Sequence, residues 1–330
     1  MKLKTSLFLV IIIPIFIINN SLAQVKGFDK VGTTSFQFLK VIPNARSAAM
    51  GGTAAATIQT SDAVFFNPAA LTATSNLDFS ISYLNWFLDV KLTSFSVAYE
   101  MSNIGTFGLQ ALVTDYGEID ETRADYLFLD ESTGTFNPGV TGRTIKPNSL
   151  VFGLTFARDV TDKFTFGITV KYAREDLVEK AASNIIYDGG IIYRTGLKSL
   201  KLGTMLRHFG PEVKYVDKSY PLPQIFTIGI SGDLIAESAG FILNHDYHRM
   251  FVAYDLSQTR DHSQQHQLGV EYLFKNLIAL RSGYKFNYDE ESWTTGFGLR
   301  VSQLRFDYSY NDFGEYLNAV HRFTLRYGIK

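Results

Sequence analysis

The side chains with the most chemical reach in this sequence stand in three small groups. His262 and His266, in the stretch DHSQQHQ, have the spacing that would ligate a metal ion from one face of a helix. The segment reads instead as a polar loop between strands, where both rings would be solvated. His245, Asp246 and His248 make a second cluster in a loop or strand end, and a zinc site there would need a third ligand and an open position. Glu290 and Glu291 are adjacent carboxylates in a loop with no evident base partner. There is no G-x-S-x-G elbow and no phosphate-cradling glycine loop. The chain has no cysteine, which excludes disulfides, thiolate metal sites and cysteine nucleophiles. These residues predict a protein without a cofactor or a bound metal, and not an enzyme.

The elements that carry these residues are strands. From Asn76 onward, apolar and aromatic residues recur at every second position, the period of a strand with two unlike faces. KFTFGITVKY puts Phe164, Phe166, Ile168, Val170 and Tyr172 on one face, and QLGVEYLF alternates Leu268, Val270, Tyr272 and Phe274 against Gly269 and Glu271. The pattern predicts about fourteen strands, near 77–87, 90–101, 105–115, 148–159, 163–175, 183–195, 199–209, 222–232, 249–258, 265–275, 277–287, 291–301, 303–311 and 320–329. Most approach the ~9–11 residues that cross a bilayer as a tilted strand. Their opposite faces carry Lys171, Asp188, Asp255, Glu271, Arg281, Lys285, Arg300, Asp307 and Arg326 among glycines and threonines. Charges of both signs would pair in a lumen, while a soluble sandwich would have to bury its apolar faces against each other. Connections alternate short and long, as in outer-membrane barrels. The exception is 233–248, long on the short side, which asks either for an earlier start to the ninth strand near Gly240 or for a different count.

The N-terminus reads as an export signal: Lys2 and Lys4, an apolar run from Leu7 to Ile18, then Ser21-Leu22-Ala23. That run is shorter than the ~20 residues of a spanning helix, so cleavage is expected after Ala23. The expected organisation is a signal peptide at 1–23, an N-terminal segment at 24–75 and a barrel at 76–330. The 31 basic and 32 acidic residues nearly cancel, which argues against nucleic-acid binding by bulk charge. Aromatics make up 14% of the chain, rich for a soluble enzyme.

One stretch fits none of these strands: ARSAAMGGTAAATIQTSDAVFFNPAAL, residues 45–71. With FQFLKVIPNARSAAMGGTAAA at 36–56, SDAVFFNPAAL at 61–71 and the closing FDYSYNDFGEYLNAVHRFTLRYGI at 306–329, the chain resembles the PorV/PorQ family of Bacteroidetes outer-membrane proteins, relatives of the FadL-type barrels. The resemblance covers nearly the whole mature chain. It implies an all-β transmembrane antiparallel barrel of fourteen strands with a small N-terminal helical hatch inside the lumen. It also implies a place in type IX secretion, with secretion-machinery proteins and secreted cargo as partners.

A barrel of fourteen strands encloses more volume than its own side chains fill, so a plug is needed. In this reading the hatch motif comprises Arg46, Met50, Gly51, Gly52, Asp62, Phe65, Phe66, Asn67 and Pro68. The small residues let backbone approach the wall, Arg46 and Asp62 pair with lumen charges, Pro68 stops a helix, and Asn67 caps the next turn. Whether these residues only pack, or also gate or touch a ligand, stays open. So do three functions: an accessory to type IX secretion acting through protein contacts, with the acidic loop 116–147 as a docking element; a FadL-like channel for hydrophobic small molecules, with Phe65 and Phe66 touching the ligand; and a soluble exported β protein. The first two place the chain in the outer membrane, against lipid.

Overall fold

The computed structural model describes residues 30–130, 134–289, 291–314 and 317–329. The expected signal peptide at 1–23 and mature start at Gln24 lie outside the described residues, as does Glu290.

Fourteen antiparallel strands close into a barrel. They are β1 (Leu77–Asn85), β2 (Lys91–Met101), β3 (Gly105–Asp115), β4 (Asn148–Asp159), β5 (Phe164–Asp176), β6 (Ala181–Arg194), β7 (Lys201–Phe209), β8 (Ile225–Ala236), β9 (His248–Thr259), β10 (Gln265–Phe274), β11 (Ile278–Phe286), β12 (Trp293–Val301), β13 (Leu304–Asn311) and β14 (Val320–Ile329). Each strand pairs with its neighbours in sequence, and β1 pairs with β14 from Leu77↔Ile329 to Asn85↔His321, so no edge is left open. Closure satisfies every ladder within the sheet, the condition for strands to cross hydrocarbon.

The period-two pattern resolves into an inverted protein. Outward residues such as Ile81, Leu154, Ile168 and Phe226 are exposed, while inward residues such as Ser80, Ser96, Thr155 and Thr169 are buried. An apolar belt around the whole circumference far exceeds the few hundred Å² that soluble monomers expose. Lipid is the solvent that such a surface fits, which removes the soluble reading. Aromatic pairs rim the belt at both ends: Phe79–Tyr327 and Phe107–Phe156 towards the short turns, Tyr284–Trp293 and Tyr310–His321 towards the long loops. Among the described residues no helix is long and apolar enough to cross a membrane.

The connections differ from expectation in two places. The loop after β3 is itself a hairpin, Ile119–Asp130 paired with Thr135–Ile145, standing beyond the barrel. The long connection on the short-turn side is real and needs no recount. Its residues fold back on the end of β8, with Phe241 and Ile242 donating backbone N–H to the carbonyls of Asp233 and Leu234, and Leu243–Asn244 running parallel to β8.

Candidate functional site

The hatch enters at the long-loop end and descends to β1 through the lumen. Lys30 and Ser35 donate backbone N–H to the carbonyls of Asp261 and Pro221. A 3₁₀ turn, Gln37–Lys40, leads to α1 (Ala45–Ala49), which packs on β12, β13 and β14. Two further 3₁₀ segments follow. Thr60–Phe65 lies on β1, β2 and β3, and Pro68–Ala73 lies on β4, β5 and β6. Helical structure here is thus one five-residue helix and short 3₁₀ turns, because Gly51, Gly52 and Pro68 interrupt anything longer.

The motif residues divide by what they touch. Arg46 joins hatch to wall: its Nε and Nη2 donate to Glu271 at 3.0 and 2.9 Å, and its Nη1 donates to the Thr57 carbonyl. Glu271 also holds Arg281 at 2.6 Å, Arg281 reaches Asp307 at 2.9 Å, and Arg305 reaches Asp307 at 2.8 Å. Asp62 does not form the expected ion pair. It accepts the Ser80 hydroxyl at 2.6 Å, while Asp78, on β1 beside β14, takes Arg326. Asn67 caps the turn that Pro68 begins, accepting the Ala69 N–H at 3.1 Å and donating to the Ala55 carbonyl at 2.6 Å. Gly51 (φ 69°) and Gly52 (φ 87°) are left-handed, and the Gly51 N–H donates to the Thr294 hydroxyl. Met50 is fully covered, against Phe251 and Ala253. Phe65 packs in the hatch core, and Phe66 lies under the Arg207 guanidinium, with which it lines a cavity of the lumen.

The wall answers the small residues of the hatch with glycines of its own, a pairing that periodicity alone does not reveal. A Cβ at Gly269 would lie 2.6 Å from the Met50 carbonyl oxygen, and one at Gly108 would lie 2.7 Å from Val64 Cγ1. At Gly283, Gly203 and Gly167 it would overlap the hatch backbone at Gly51, Ala55 and Pro68. Gly298 leaves room for the Asp307 carboxylate and the Arg281 guanidinium.

Two adjoining cavities occupy the long-loop end. The outer one, of about 510 Å³, is apolar and lined by Phe38, Trp86, Phe87, Leu92, Ile119 and Leu177. Tyr116 and Glu175 are its polar edge, and burial pushes the Tyr116 phenol up to about 12, so it stays a hydrogen-bond donor at neutral pH. The inner cavity, of about 360 Å³, is mixed: Arg207, Asp255, Lys285, Glu291 and Arg322 line it together with apolar Phe66 and Phe313. Gln37, Val41 and Trp86 line both. Arg207 faces the lumen in phase with Gly203 and Met205, and the β6–β7 register shift beside His208 (φ 60°) is a bulge that turns the next side chain, His208, inward as well. Sequence alternation misses this bulge. It also misses Trp86, although the adjacent aromatics of NWF, which break the period-two pattern after β1, are a signal.

A latch holds the hatch entrance. The Asp261 carboxylate, in the β9–β10 loop, accepts from Lys40, the Thr34 hydroxyl and His262. Burial alone would raise its pKa, but Lys40, His262 and Thr34 outweigh burial and hold it at about 2. A folded value below the ordinary 3.8 means that the latch is at full strength above about 4 and is lost as pH falls towards 2. Hydrogen exchange should show residues 33–40 opening over that window, and Asp261→Asn should open them at neutral pH with no such dependence. Equal protection in both proteins would refute the latch.

The other histidines are apart. His266 faces outward on β10 with its Nδ1 2.6 Å from the Tyr254 hydroxyl, and at the short-turn end His248 stacks on Tyr272 and meets His245 edge-on. Among the described residues no three histidines or carboxylates are grouped to hold a metal ion.

No family model matches the chain, and no curated protein matches it. Solved structures do. The toluene transporter TbuX of Ralstonia pickettii is 14% identical with a TM-score of 0.57, the match covering 87% of this chain and 98% of that one. The toluene transporter TodX of P. putida is 12% identical with a TM-score of 0.58 over the same shares. A FadL homologue from Pseudomonas aeruginosa is 10% identical with a TM-score of 0.51, again over 87% and 98%. At these identities the likeness is one of fold, and the fold of this chain is that of the FadL-type barrels.

Proposed function

We propose that this protein is an outer-membrane, non-catalytic barrel that takes up hydrophobic small molecules, receiving them in the apolar cavity between hatch and loops. The cavity carries the reading. It sits at the long-loop mouth, it is walled by Phe38, Trp86 and Phe87, and it adjoins a second cavity inside the lumen. The two toluene transporters named above support it, since they share the fold.

Trp86 provides the test. Only one other tryptophan, Trp293, is present, so Trp293→Phe leaves Trp86 as the sole reporter at the cavity. Toluene added to that variant in detergent is expected to quench or shift its emission saturably. Phe38→Asp should weaken binding about tenfold by placing a charge in the apolar wall. Fluorescence indifferent to toluene and to a longer-chain apolar probe rejects the reading.

A second reading, an accessory role in type IX secretion through protein contacts, is favoured by the hairpin above the barrel. Tyr126, Leu127, Phe128, Leu129 and Phe136 are all exposed there, beyond the membrane belt. Deleting the gene and finding export of signal-bearing cargo unchanged would remove it.

A further inference from the structure

The short-turn mouth of the lumen carries a feature that the uptake reading does not use. Arg300 on β12, Arg305 on β13 and Arg326 on β14 are direct cross-strand partners: Arg300 is opposite Arg305, and Arg305 is opposite Arg326. Their positions alternate in step with Gly298, Asp307 and Thr324, so all three belong to the lumen-facing set. Like charges directly opposite one another destabilise a sheet. Two of the three have carboxylate partners: Arg326 on Asp78 at 2.8 Å, and Arg305 on Asp307 at 2.8 Å. The deeper carboxylate Glu271 is already shared by Arg46 and Arg281. Arg300 is exposed and, among the described residues, pairs with no carboxylate.

All three arginines line one cavity of about 470 Å³. The rest of its wall is rich in hydrogen-bonding side chains, among them Thr60, Ser302 and Gln303, and Asp78 is its single carboxylate. Thr60 stands there with φ 59°. A β-branched residue rarely adopts that conformation, and such strain gathers where a site needs a particular shape.

We infer that this inner mouth is a binding site for a phosphate-type oxyanion, with Arg300 as its free guanidinium and the Arg305–Arg326 row as its floor. The planar fork of a guanidinium matches two oxygens of a tetrahedral anion, and a bound anion relieves the repulsion along the row. The site is separate from the apolar cavity at the other mouth and stands whatever that cavity binds. The anion is either free phosphate or the headgroup of an anionic phospholipid in the inner leaflet.

Two arms distinguish these sources. In the first, the folded barrel in non-ionic detergent, stripped of phospholipid, is titrated with inorganic phosphate by calorimetry. In the second, barrels in nanodiscs of phosphatidylglycerol or of phosphatidylcholine are compared by native mass spectrometry for retained lipid. Arg300→Gln is the test variant, because Arg300 is exposed and removing it orphans no acid. A heat-modifiability gel confirms that the variant still folds. Binding in either arm that falls about tenfold or more in Arg300→Gln supports the site and names its source. Binding untouched by that substitution overturns the proposal, as does its absence from both arms in the native protein.

Discussion

Gly283→Val is expected to open the barrel. Gly283 faces inward on β11, and a side chain there would run into the hatch backbone at Met50 and Gly51. Valine suits a strand better than glycine does, so the wall itself gains local propensity from the change. The penalty therefore falls on the hatch, which has no room to retreat, since Gly51 is also pressed against the backbone of Leu268 and Tyr284. Overpacking of a filled interior costs about 1–3 kcal/mol even where side chains can yield; here the opposing atoms are backbone. The purified variant should conduct ions steadily in planar bilayers where the native protein stays closed. Trypsin should reach Arg46, which is largely covered in the folded barrel. A closed, trypsin-resistant variant would show that the hatch is not seated as described.

The second large effect concerns the ion cluster beneath the hatch helix. Glu271 binds Arg46 from the hatch and Arg281 from the wall, with Arg305 3.7 Å away. In Glu271→Gln these three guanidiniums would be left facing Asp307 as the remaining carboxylate of the cluster. Removing one partner of a buried pair costs about 3–5 kcal/mol, because the surviving charge stays buried. The unfolding temperature on a heat-modifiability gel should fall well below that of the native barrel. Arg46→Met alone should cost about 3 kcal/mol, the lower end of that range, since Glu271 keeps Arg281. The double variant should be less destabilised than the two single effects added together, because the groups act on one network. Strict additivity would mean that Arg46 and Glu271 do not communicate.

The sequence carried the barrel itself. Alternation is a local property of each strand, so the count of fourteen and most boundaries could be read without knowing which strands meet. It also showed which face was apolar, and charges such as Lys171, Asp188 and Glu271 on the other face already required a lumen there, with the apolar face towards lipid. The hatch segment stood out because its Ala/Gly-rich composition has no strand period, and Arg46 and Asn67 do there what their chemistry suggests.

Other features depended on contacts between residues far apart in the chain. That Glu271, not another acid, receives Arg46, and that Asp62 receives a hydroxyl while Asp78 takes the arginine, follows from the β1–β14 closure and the path of the hatch. No window of sequence contains both partners. The matching of wall glycines to hatch backbone, the bulge that turns His208 inward beside Arg207 and the cross-strand row of Arg300, Arg305 and Arg326 have the same origin. Register is set by hydrogen bonds between strands, while periodicity fixes only the face on which each residue stands. Sequence alone thus determined a polar-lined barrel with a plug; tertiary structure decided where that plug leaves room, and those spaces are its candidate sites.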